Sequence, residues 1–123
     1  MININEKINS VYTAHSKHNF YARNIISSFV LNNNKLPLNP FTNFDYNLIY
    51  LSDELWQFGI ISNGCYHEIK LAMKLNKKLK FFSLGKTIND IKEININELE
   101  FEDELKNECN IKEFINELTT YIN

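Results

Sequence analysis

The chain has 123 residues, 44% of them apolar and 23% charged, and 13 basic against 15 acidic side chains leave a net charge of −2. That length fits one domain over residues 1–123 and is too short for two cores. The near balance of charge, without a basic stripe, argues against a nucleic-acid partner, and no apolar run nears the roughly 20 residues that span a bilayer. The two cysteines, Cys65 and Cys109, stand far apart. With no paired-cysteine framework and no signal-peptide pattern, a reduced, cytoplasmic setting is expected.

Residues 1–8 read as a lead-in. NSVYTA (residues 9–14) reads as a short buried strand. Residues 18–33 place Phe20, Ile25, Ile26, Phe29 and Val30 at near-helical spacing, and the NNNK run stops them. KLPLNPF (residues 35–41) holds both prolines of the chain and suits an edge strand. FDYNLIYLSD (residues 44–53) has Phe44, Leu48 and Leu51 at helical spacing, and ELWQFG (residues 54–59) reads as a strand. After a loop through Asn63, a helix runs to about Asn76. Its end carries KLNKKLK, a basic run suited to a helix C-terminus. KLKFFSLG (residues 78–85) is the next strand and ININELEFE (residues 94–102) a weaker fifth. Residues 110–122 form an amphipathic helix with Ile111, Phe114, Ile115, Leu118 and Ile122 on one face.

Alternating strands and helices imply βαβ units. The expected fold is α/β: a single-domain, doubly wound, flavodoxin- or Rossmann-like parallel sheet of five strands with helices on both faces. In such folds ligands sit beyond the carboxyl ends of the strands. That rule selects Tyr12 and His15 after the first strand, Asn39 after the second, and the loop from Gly59 to Asn63 after the third.

SNGCYHE (residues 62–68) then stands out, because it holds one of only three glycines and ends on Glu68. Read as the first turn of a helix, it places Glu68 near free backbone N–H groups and the positive helix end, which favour the ionised carboxylate. Such a carboxylate suits a nucleophile or a cation stabiliser, and equally a plain helix-capping acid. The same loop could instead bind an anion through Ser62, Asn63 and backbone amides. No Walker ending and no dinucleotide fingerprint is present.

These residues resemble the nucleoside 2-deoxyribosyltransferase superfamily, including its nucleotide N-hydrolase relatives and uncharacterised phage and bacterial members, over about residues 9–85. The likeness lies in Tyr12 of VYTAHS, in Asp45 eight residues before Asp53, in Gly64 through Glu68 as Gly-x-x-x-Glu, and in Ser62 six residues before Glu68. The chain departs from the family in lacking a glycine-rich turn after the first strand, in a short loop from Gly59 to Ser62, and in having His67 where the transferases often carry an aromatic residue.

The resemblance implies cleavage or transfer at the N-glycosidic bond of a nucleoside or nucleotide. Glu68 would attack C1′, Asp45 would assist the departing base, Tyr12 would orient Glu68, and Ser62 would touch the sugar 5′ end or its phosphate. Asn63, Gly64, Asn39 and His15 complete the expected substrate-binding set. No metal or organic cofactor is implied, and the partner is a small-molecule nucleoside or nucleotide. A homo-oligomer is expected, since family members often complete the pocket from a neighbouring subunit. The alternative is a non-catalytic nucleotide-binding module of the same fold.

Other residues compete for roles. Asp45 also reads as an acid at a helix start, and Ser62 as a helix cap. Cys65 at a helix start is a possible thiol nucleophile, with no base fixed beside it. His15, His18, Cys65 and His67 fit no usual zinc spacing. Trp56 and Phe58 read as core rather than base-stacking residues.

Overall fold

Alternation of side chains along the strands sets the architecture. The computed structural model describes residues 7–40 and 46–123. The four strands of the described residues are β1 (Ser10–His15), β2 (Leu36–Leu38), β3 (Glu54–Phe58) and β4 (Lys78–Phe82). The five α-helices of the described residues are α1 (Arg23–Asn32), α2 (Tyr46–Leu51), α3 (Asn63–Lys74), α4 (Asp103–Glu108) and α5 (Ile111–Ile122). All strand pairs are parallel, in the order β2-β1-β3-β4.

Period-two alternation sends side chains to opposite faces of this sheet. Tyr12, Ala14, Leu55, Leu79 and Phe81 pack with Ile69 and Ala72 of α3 and Phe114 and Leu118 of α5. Val11, Trp56, Phe58 and Phe82 pack on the other face with Ile26 and Val30 of α1. A parallel sheet must be covered on both faces, and β3, buried at every position, shows the consequence. Trp56 and Phe58 are core residues, as expected.

The winding reverses between β1 and β3: β2 lies to one side of β1, and β3 and β4 to the other. The carboxyl ends of β1 and β3 therefore flank the crevice where such sheets bind ligands. Gly59 ends β3 with φ +77°, a left-handed conformation that favours glycine. A Cβ there would stand 2.9 Å from Asn19 Nδ2 and 3.1 Å from Leu84 Cδ1.

Two expectations change. Residues 94–102 add no fifth strand among the described residues. Asn95 and Glu98 form a capping box around a 3-10 turn at Ile96–Glu98, with Glu98 Oε1 accepting from the Asn95 N–H at 3.1 Å. This local bonding competes with a strand ladder. Only isolated bridges remain, Phe82 with Glu93 and Ile61 with Phe101. The first helix also starts later. Residues Lys17–Ala22 form a 3-10 helix capped by Ser16, and only Ala22 in it is buried. Without a wide apolar face, packing does little to favour an α-helix there.

At the opposite, amino end of the sheet sits a buried carboxylate, Glu54. Trp56 Nε1 donates to it at 2.9 Å and Asn9 Nδ2 at 3.1 Å, and Lys35 Nζ stands 3.3 Å away. Burial pushes its pKa up, but the donors and Lys35 outweigh burial and hold it below the ordinary 4.5. A lowered carboxylate pKa contributes stability above the unfolded-state value, and that stability is lost as pH falls through the folded-state value. Urea midpoints measured from pH 7 down to pH 3 should fall more steeply below about pH 4.5 for the natural protein than for Glu54→Gln. Parallel slopes would contradict this role.

Candidate active site

The buried stripe of α3 is Cys65, Glu68, Ile69 and Ala72. That is the i, i+3, i+4, i+7 pattern of a core-facing helix, with a glutamate inside it. Glu68 is 2% exposed. Tyr12, in the middle of β1 rather than after it, points to the same face, and its hydroxyl donates a hydrogen bond to Glu68 Oε2. The pair joins sheet to helix across 56 residues of sequence. A buried carboxylate needs such donors.

Glu68 is not in the first turn of its helix. Ser62 is the N-cap, its Oγ accepting from the Cys65 N–H at 3.2 Å, and Glu68 is the sixth helical residue. Helix-end charge fades within the first turn. The Tyr12 hydroxyl, rather than the helix end, is therefore a donor that the fold supplies to this carboxylate. Gly64 is the second residue of α3.

A cavity of about 210 Å³ opens beside Glu68 at the carboxyl end of β1, lined also by His15, Ser16, Phe20, Ser62, Asn63 and Gly64. Of the residues expected from sequence, Glu68, Ser62, Asn63, Gly64 and His15 meet there, and Tyr12 reaches it through Glu68. Asn39 is committed elsewhere: it accepts from Thr13 Oγ1 and donates to Ser27 Oγ at 2.8 Å, tying the end of β2 to β1 and α1. Its neighbour Pro40 lines the cavity instead. Asp45 lies outside the described residues.

Lys17, Glu102 and Glu104 also line the cavity, and sequence reasoning missed them. Glu102 arrives through the bridge between Ile61 and Phe101, where the Ile61 N–H donates to Glu100 O at 2.9 Å and the Glu102 N–H to Ile61 O at 3.0 Å. Ser16 Oγ then donates to Glu102 Oε1 at 2.7 Å. No local pattern in the sequence marks this contact, which spans 86 residues.

Cys65 is buried, 1% exposed, which shields its thiol. Burial, and then the neighbouring Glu68 charge, push its pKa up to about 11, against opposing contacts from Ser62 and Gln57. His67 is exposed on α3 and does not line the cavity. Among the described residues, no group of three or more His, Cys, Asp and Glu side chains is arranged to hold a metal ion. A larger groove of about 810 Å³ lies between α3 and α5, open and crossed by the Lys70–Glu117 ion pair at 2.8 Å. Converging polar groups mark a binding site better than size does, which favours the smaller cavity.

Two measurements check this geometry. Tyr12→Phe leaves a buried carboxylate short of a donor and should cost about 1–3 kcal/mol of stability in urea unfolding; an unchanged midpoint would contradict the contact. Iodoacetamide at pH 8 should leave Cys65 intact in the folded protein and modify it after denaturation. Rapid native alkylation of Cys65 would show that its thiol is neither shielded nor raised.

No protein-family model, curated protein or solved structure matches the chain.

Proposed function

We propose that the chain cleaves or transfers at the N-glycosidic bond of a nucleoside or nucleotide, with Glu68 as the nucleophile. The observation that carries this reading is the Tyr12–Glu68 hydrogen bond at the wall of a cavity beside the β1–β3 crevice. A carboxylate kept in a core stripe, held by a phenol and reaching a cavity suits chemistry better than capping, because capping needs no burial.

In the proposed reaction a Glu68 oxygen bonds to C1′ as the C1′–N bond breaks. The electron pair of that bond leaves with the base, which Asp45 protonates. Water or a second base then attacks C1′ and releases Glu68. This is the two-step logic of retaining glycosidases. Tyr12 restricts rotation of the carboxylate, so attack starts from a fixed geometry. Ser62 already caps α3 and donates to Cys65 Sγ at 3.2 Å, so its part is to shape the helix start rather than to offer an uncommitted hydroxyl. The role of Asp45 rests on the family resemblance alone.

The test is base release, followed by chromatography, from a panel of nucleosides, nucleoside monophosphates and NAD. Glu68→Gln should lower turnover by roughly a thousandfold or more, and Tyr12→Phe by less. Base release that persists in Glu68→Gln would overturn the reading.

A further inference from the structure

Among the described residues, three carboxylates and a histidine bring acceptors to the cavity. His15 closes β1, and its Nδ1 lies 2.7 Å from the Thr13 carbonyl oxygen. A carbonyl only accepts, so Nδ1 carries the hydrogen and Nε2 keeps its lone pair. Burial lowers the pKa of the ring, the Thr13 contact opposes this, and the Arg23 charge adds to the lowering. The side chain is 5% exposed, and Nε2 is buried with no hydrogen-bond partner among the described residues. An unmatched buried acceptor is unfavourable, and a ligand donor relieves it.

Charge points the same way. Among the described residues the lining holds three carboxylates, Glu68, Glu102 and Glu104, against one cation, Lys17. Carboxylates accept from hydroxyl groups and repel phosphate. The helix start offers the opposing attraction, since backbone N–H groups there favour anions. The Ser62 side chain already takes the Cys65 N–H, however, which reduces that attraction.

We infer that the cavity selects an unphosphorylated nucleoside over its 5′-phosphate, with His15 Nε2 accepting a hydrogen bond from a sugar hydroxyl. The inference rests on the nucleoside reading above and narrows it. The Phe20 ring and the imidazole form a T-shaped pair at a centroid distance of 5.5 Å. Phe20 is 40% exposed at the cavity wall, so a turn of its ring would open room beside the imidazole.

Titration calorimetry on the full chain, with ribo- and deoxyribonucleosides and their 5′-monophosphates, tests the inference. The best nucleoside should bind about tenfold or more tighter than its monophosphate, a gap of about 1.4 kcal/mol. His15→Phe keeps a ring but no acceptor and should weaken that nucleoside about tenfold. His15→Gln, which keeps an acceptor, should recover much of the loss. Glu104→Lys, at an exposed position, should narrow the gap between nucleoside and monophosphate. Equal or tighter binding of the monophosphate overturns the inference, as do unchanged nucleoside affinity in His15→Phe and failure of every nucleoside to bind. Nucleoside binding in the expected pattern without base release leaves this inference standing and overturns only the catalytic reading.

Discussion

A carboxylate buried beneath the carboxyl end of a parallel sheet has to be held by donors. In this chain the Tyr12 hydroxyl holds Glu68. That bond ties β1 to α3 on the helix face that Cys65, Ile69 and Ala72 turn to the core. It also sets the carboxylate at the wall of the cavity. Removal of the phenol would leave a polar group in the core, so stability and site geometry rest on the same contact.

The rest of the carboxyl edge is arranged around that point. Ser62 starts α3 just before the cavity, and Gly59 turns the chain out of β3 with a backbone that suits glycine. The segment around Phe101 brings two more acids to the rim through its bridge to Ile61. The result is a polar cavity rich in acceptors. Its thiol is shielded and hard to ionise, and its histidine presents a lone pair. At the far end of the sheet, Glu54 is also buried, but Trp56, Asn9 and Lys35 surround it. Two buried glutamates thus take different roles. One is enclosed by partners from its own end of the sheet, and the other borders a cavity.

Much of this was legible in the sequence. Strands and helices alternate clearly enough to give β1, β3, β4, α3 and α5, and the two prolines mark β2 as an edge. Glu68 stands out through the glycine turn before it and the family resemblance, but a first-turn reading places it too early, because α3 begins at Asn63 and Glu68 is its sixth residue. The alternation in ININELEFE imitated a strand, and the Asn95–Glu98 capping box overrode it. Residues 103–108 carry too little periodicity to be seen as a helix, since only Leu105 of α4 is buried. Glu102 left no signal, because tertiary pairing alone brings it to the cavity. Asn39 was chosen by its position after a strand, but its amide satisfies Thr13 and Ser27.

The decisive measurement is mass spectrometry of the protein quenched in acid during incubation with a nucleoside that it cleaves, followed by proteolysis. Attack by Glu68 predicts one glycosyl group as an ester on the peptide containing that residue, absent in Glu68→Gln. Base release with no adduct, or an adduct on another side chain, would contradict a glutamate nucleophile at this site.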